Sequence, residues 1–114
     1  APNPNGYYSD EQGNWYYKNA SGENLIGSQI IKGQRVFFRD NGQQVKGAYL
    51  DIYNDLKGYY DINTGNLVTN RYVEVNGNWY YVNKYGSPLK GAYIIDGQDV
   101  MFDPIMVNRL KEDL

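Results

Sequence analysis

Gln44 and Lys46 stand two residues apart, and Tyr49 follows them across Gly47. An amide, an ammonium and a phenol are groups that suit a pyranose. The aromatic face takes the sugar's apolar C–H side, while the amide and ammonium satisfy neighbouring hydroxyls as acceptor and donors. Positions two apart on an extended segment point to one face, so Gln44 and Lys46 are expected to converge. The alternative reading makes both residues the polar side of an exposed strand, with Tyr49 capping a stack. Other chemistry is poorly served. The chain has neither Cys nor His, which removes disulfides, thiolate metal sites and the commonest general base. Glycoside hydrolysis needs two carboxylates facing each other, one kept protonated by an apolar pocket. Asp40, Asp51, Asp55, Asp61, Asp96 and Asp99 instead fall at turns and linkers, a spread that suits solubility. No G-x-S-x-G, phosphate loop or nucleophile–base pair is present. Asp51, Asn54 and Asp55 share a loop but lack the D-x-[DN]-x-[DN]-G spacing of a calcium site, and read as solvated. The expectation is a binding module with no catalytic residue, cofactor or metal.

These side chains need a frame, and the stretch Gly33 to Tyr49 supplies one. It reads as an aromatic strand Val36–Phe38, a turn at Asp40-Asn41-Gly42 and a return strand Gln43–Lys46. Asn-Gly between alternating segments predicts a type I′ hairpin turn. The unit recurs. Aligning the turn glycines Gly22, Gly42, Gly65 and Gly86 gives starts at Gly13, Gly33, Leu56, Gly77 and Gly97, with spacings of 20, 23, 21 and 20 residues. A longer period of 64 carries Gly13 to Gly77, and 15 of 28 positions are identical between 13–40 and 77–104. Such periods mark arrays, propellers or solenoids.

Each unit holds adjacent apolar residues in its first strand: Tyr16-Tyr17, Val36-Phe37, Tyr59-Tyr60, Tyr80-Tyr81 and Val100-Met101. Neighbours in a strand point to opposite faces, so both faces need cover, which stacked hairpins give one another. The fold expected is all-β, a β-solenoid array of hairpins over residues 6–104, with units near 13–32, 33–55, 56–76, 77–96 and 97–104. Tyr7-Tyr8 is expected either to pair directly with Trp15–Tyr17 or to have lost its partner with a part of a longer chain. In the tail, 105–114, Met106, Leu110 and Leu114 recur at i, i+4 and i+8, predicting a short helix that caps the array or starts an adjoining domain.

Eleven Lys and Arg against 13 Asp and Glu leave a net charge of −2 with no basic block, which disfavours nucleic acid. No apolar run approaches the ~20 residues of a membrane-spanning helix. Ala1-Pro-Asn-Pro lacks a signal peptide's charged and apolar regions, so either export information was removed or the sequence is a piece of a longer chain. Thirteen tyrosines mean that aromatic rings must do much of the packing.

Gly-Asn-Trp-Tyr-Tyr at 13–17 and 77–81, Gly-Gln-Arg-Val-Phe-Phe-Arg-Asp-Asn-Gly-Gln-Gln-Val-Lys-Gly at 33–47 and Lys-Gly-Tyr-Tyr-Asp at 57–61 resemble the glucan-binding repeats of bacterial glucansucrases such as dextransucrase. Those repeats belong to the wider cell-wall and choline-binding repeat superfamily; large clostridial-type toxins share the aromatic hairpins. The resemblance implies a secreted or surface setting, and multivalent binding of α-glucan, dextran or isomalto-oligosaccharides between hairpins. It also implies a place in a larger enzyme acting on sucrose. Its Gln-x-Lys signature with an aromatic stacker falls on Gln44, Lys46 and Tyr49. Unit four keeps Lys90 and Tyr93 but has Pro88 in the amide position. Unit three keeps Tyr72 and has Thr69 for Lys and Leu67 for Gln, while Asn24, Ile26 and Gln29 make unit one look structural. The choline-binding branch carries Gly-Trp after the turn strand, where this chain has Gly-Ala-Tyr or Gly-Ser-Gln. Anchoring to choline or teichoic acid, and a purely structural spacer, stay as alternatives. Open ends make hairpin-swapped self-association an expected route.

Overall fold

In a computed structural model of the chain, which describes residues 6–102 and 110–111, short strands pair antiparallel with their neighbours in sequence. β1 (Gly6–Ser9) pairs with β2 (Trp15–Lys18), placing Tyr7 opposite Tyr17 and Ser9 opposite Trp15, the direct pairing that is one of the two outcomes expected of this segment. β3 (Gly27–Ile31) pairs with β4 (Gln34–Phe38), and β5 (Gly47–Leu50) with β6 (Leu56–Tyr60). β7 (Arg71–Val75) pairs with β8 (Asn78–Val82), and β9 (Gly91–Ile95) with β10 (Gln98–Phe102). The class is the expected all-β array of hairpin repeats; no helix occurs among the described residues.

The pairing frame differs in one respect from the one the sequence suggests. The type I′ turns lie at Lys32-Gly33, Asn76-Gly77 and Asp96-Gly97, where both residues have positive φ (54° and 80° in the first), as that turn requires. At Asn41-Gly42 only the glycine does, with φ of 91°. There Gly42 N–H donates to Arg39 O (2.8 Å), Arg39 N–H donates to Gln43 O (2.8 Å), and Asn41 Oδ1 accepts the Gln43 N–H (2.9 Å). The Asn41 side chain thus competes locally with a continuing ladder. The return segment keeps a single bridge, Phe38↔Gln44. The long ladder of Val36–Phe38 runs instead to β3, which precedes it.

Two compact units divide the chain. The first comprises Ala1–Gly47 with Tyr60–Asn66, the second Ala48–Tyr59 with Leu67–Leu114. Val36, Phe38 and Val45 are fully buried in the first, and Phe37 meets Tyr60 at 6.3 Å. In the second, Leu56, Val73, Val75, Tyr80 and Val82 form one cluster, flanked by Ala48, Leu50, Tyr59 and Val68.

Within each unit, the residue two places after one turn glycine lies on the next turn glycine. A Cβ on Gly42 would sit 3.1 Å from Asn24 Cβ, one on Gly65 would sit 2.8 Å from Gln44 Cδ, and one on Gly86 would sit 2.7 Å from Leu67 Cδ1. Glycine there makes room for the preceding repeat's side chain. The same column holds an asparagine, a glutamine and a leucine.

At Leu110–Lys111 the chain is extended, not in the helix that the tail's spacing predicts. This strand, β11 (Leu110–Lys111), pairs with β10 in the register Met101↔Lys111, Phe102↔Leu110. A lone helix of this length is marginal in water, whereas the β10 edge offers unpaired backbone groups to bond. The remaining tail residues, 103–109 and 112–114, lie outside the described residues.

Candidate functional site

Tyr7, Trp15 and Tyr17 share one face of the β1–β2 pair, because Tyr7 is opposite Tyr17 and Trp15 lies two residues from it. Tyr7 meets Tyr17 edge-on at 4.9 Å and Trp15 edge-on at 6.3 Å, with Phe38 at 6.4 Å. Phe38 is fully buried, but Tyr7 and Trp15 keep 41% and 37% of their surface. That leaves two aromatic surfaces open to a ligand on a packed base.

The segment after the Arg39–Gly42 turn brings polar groups to this face. Gln44 N–H donates to Trp15 O at 2.7 Å, and Val45 N–H donates to Phe37 O at 2.9 Å, fixing the segment against β2 and β4. The Gln44 side chain is 6% exposed, and its Nε2 donates to the Tyr7 phenol oxygen at 3.2 Å. Lys46 Nζ donates to Asn63 O at 3.1 Å and stands 5.3 Å from the centre of the Trp15 ring, within cation–π range. Tyr7, Trp15, Gln44, Lys46, Asn63 and Thr64 line a cavity of ≈240 Å³. The turn supplying Asn63 and Thr64 is fixed by Asp61, whose Oδ1 accepts both their backbone N–H groups (2.8 and 2.9 Å).

Burial raises the Tyr7 phenol above its ordinary pKa; the hydrogen bond from Gln44 opposes this and neighbouring Tyr17 adds to it. Tyr7 therefore stays protonated at neutral pH. Its oxygen accepts from Gln44 while its O–H is able to donate. On the other face of β1–β2, Tyr8 stacks on Tyr16 at 5.3 Å. There the Tyr16 O–H donates to Asp10 Oδ2 at 3.0 Å. Asp10 lies below the usual carboxylate range, first because it accepts the Asn14 backbone N–H, with the Tyr16 hydroxyl contributing.

The structure brings together two of the three residues of the sequence-derived set. Gln44 and Lys46 line one cavity. Tyr49 does not line it; it lies on β5 in the second unit, where Lys57 Nζ stands 5.9 Å from its ring. The aromatic side chains that line the cavity are Tyr7 and Trp15, neither of which belongs to the candidate set that the sequence suggests. The repeated Gly-Asn-Trp at 13–15 and 77–79 carried the signal. Nothing in the sequence marks Asn63 and Thr64.

In the second unit, Tyr72 is half-buried and meets Trp79 at 6.5 Å, Tyr81 at 5.0 Å and Phe102 at 6.4 Å. Thr69 is half-buried and Lys90 exposed. Tyr93 lines a larger cavity of ≈480 Å³ with Ala92, Ile94, Asp99 and Val100. Despite its size, that cavity has among the described residues a single charged side chain and no amide or ammonium, so these offer fewer groups for orienting a polar ligand.

A family model described as the choline-binding repeat matches residues 25–72. Glucosyltransferase-S of Streptococcus mutans is 40% identical over 97 residues, which are 84% of this chain and 7% of that enzyme. Glucosyltransferase-S of Streptococcus downei is 44% identical over 81 residues, 71% of this chain and 6% of that enzyme. The chain thus spans about 7% of the length of the curated relatives it matches. Choline binding protein F of Streptococcus pneumoniae superposes with a TM-score of 0.74 at 23% identity, over 94% of this chain and 35% of that protein, and shows a shared fold.

Proposed function

We propose that this chain, matched over residues 25–72 by the choline-binding repeat and similar to a small part of streptococcal glucosyltransferases, is a non-catalytic module that binds α-glucan. Dextran and isomalto-oligosaccharides are its natural probes. The observation that carries the reading is the cavity in the first unit, where the half-exposed rings of Tyr7 and Trp15 meet the Gln44 amide and the Lys46 ammonium. Glucose presents an apolar C–H face to an aromatic ring and hydroxyls to the polar groups beside it. Trp15 is the stacking surface and Lys46 the donor; Gln44 holds Tyr7 in place and shares its donors with the ligand. The relatives' name points to glucosyl units as the sugar. The reading carries with it a secreted or cell-surface setting and a place within a larger enzyme.

One such cavity is shallow, and affinity for a short isomalto-oligosaccharide is expected on the order of millimolar. A polymer that engages several repeats gains by effective concentration without new contacts. Affinity electrophoresis in dextran-containing gels tests the reading. The native chain should be retarded, Trp15→Ala should be retarded far less with its fold intact, and Tyr49→Ala should stay retarded. Retention lost with Tyr49→Ala but kept with Trp15→Ala would move the stacking surface to β5. A native chain that dextran does not retard, but that choline elutes from a choline matrix, would favour the anchoring alternative.

A further inference from the structure

The lysine in this cavity occupies the place that another kind of ligand would need. Quaternary ammonium groups are recognised by the faces of Trp and Tyr rings, without hydrogen bonds. Tyr7 and Trp15 offer such faces at an edge-on 6.3 Å in the ≈240 Å³ cavity. The Lys46 ammonium already stands 5.3 Å from the Trp15 ring centre, held there by the Asn63 carbonyl at 3.1 Å. It fills the cation position over the larger ring, and its charge repels a second cation at contact distance. Lys18 over Tyr8, Lys57 over Tyr49 and Lys84 over Tyr85 make similar pairs, but among the described residues those pairs line neither of the two cavities given above.

We infer that Lys46 is the specificity-determining residue of this cavity: an internal cation that shuts out quaternary ammonium ligands and leaves a donor for hydroxyls. Without it, the cavity is a latent site for a trimethylammonium group. The four-residue offset from the turn glycine carries this difference along the chain, since the matching positions are Ile26, Thr69 and Lys90. The inference concerns the same cavity as the glucan reading, but its test needs no glucan.

The test follows the Trp15 indole N–H resonance, assigned with Trp15→Phe, while choline or tetramethylammonium is titrated into the native chain, Lys46→Met and Lys46→Gln. Sodium chloride serves as the ionic-strength control. Native protein should show no saturable shift. Both variants should show one that saturates at least about ten-fold below any native response, and Lys46→Arg, which keeps the cation, should behave as native. Adding Trp15→Ala to Lys46→Met should abolish choline binding, read then by calorimetry. A native chain that binds choline as tightly as Lys46→Met overturns the inference. So does the absence of a shift in whichever lysine variant retains the native backbone spectrum. Isomaltotriose titrated into the native chain reports separately on the glucan reading, so either can fail alone.

Discussion

Tyr7 sits 6.3 Å from Trp15, 4.9 Å from Tyr17 and 6.4 Å from Phe38; Tyr72 sits 6.5 Å from Trp79, 5.0 Å from Tyr81 and 6.4 Å from Phe102. The interplanar angles agree as closely: 79°, 87° and 37° against 76°, 82° and 38°. The two quartets repeat at an offset of 64 or 65 residues, yet their polar surroundings differ. Gln44 bridges Phe38 in the first, with Lys46 two residues on; Leu110 pairs with Phe102 in the second, where the sequence continues Lys111-Glu112. The aromatic quartet comes with the repeat; among the described residues, an amide and an ammonium line one cavity with two of its rings in the first unit.

The largest expected effect strikes what the two units share. Gly65→Ala and Gly86→Ala each place a methyl against the preceding repeat's side chain, Gln44 in one case and Leu67 in the other, at φ of +78°. Left-handed strain costs an alanine ~1–2 kcal/mol and overpacking adds ~1–3. Each substitution should therefore lower the melting temperature by on the order of 10 °C or more. Gly33→Ala, at φ of +80° with open space around it, carries the strain alone and should fall less. Calorimetry of the three variants decides, and equal losses would mean that Gln44 and Leu67 yield freely. Gly65→Ala should also weaken dextran retention, since it displaces Gln44, while Gly86→Ala should not.

A smaller effect on stability separates the units. Leu67 occupies on Gly86 the place that Gln44 occupies on Gly65, so Gln44→Leu keeps an accepted shape. It loses the bond to Tyr7 and also a buried amide, two changes that oppose each other. Stability should change by less than ~1.5 kcal/mol while dextran retention drops sharply. A fold lost with Gln44→Leu would make the amide structural and remove it from the site.

How far the sequence could be read follows the same division. The repeat, the all-β class and the pairing of Tyr7-Tyr8 with Trp15–Tyr17 were legible, because glycine spacing and doubled aromatics are local patterns. The placement of the tight turns was not. Asn41-Gly42 has the better composition for a type I′ turn, but Asn41 spends its side chain on Gln43 N–H, and Lys32-Gly33 takes the turn instead. Gln44 and Lys46 could be paired because they are two apart in one segment. Trp15, 29 residues before Gln44, reaches it through a ladder whose register only the fold reveals. Tyr49 lies close to Lys46 in sequence, yet Gly47 with φ of 85° lies between them and β5 carries Tyr49 into the second unit.

The smallest expected effect is an ionisation difference between the two central tyrosines. Burial raises both phenols, with Tyr81 and Asp96 adding to the rise at Tyr72. A raised folded-state pKa makes a contribution to stability that is complete below the ordinary tyrosine pKa of about 10. That contribution fades as pH climbs through the folded value, so the chain should weaken in strong alkali and not in the neutral range. Only Tyr7 accepts a hydrogen bond from a glutamine, and that bond favours phenolate and holds its pKa down. Gln44→Leu should therefore move the Tyr7 titration further upward and leave that of Tyr72 where it is. Ring-carbon NMR, assigned with Tyr7→Phe and Tyr72→Phe, reads both in one sample. If both tyrosines moved, the substitution would have loosened more than this cavity; if neither moved, the Gln44 amide would not be bonded to Tyr7 in solution. A shift confined to Tyr7 would show that the two quartets share their rings and differ in the strand that follows.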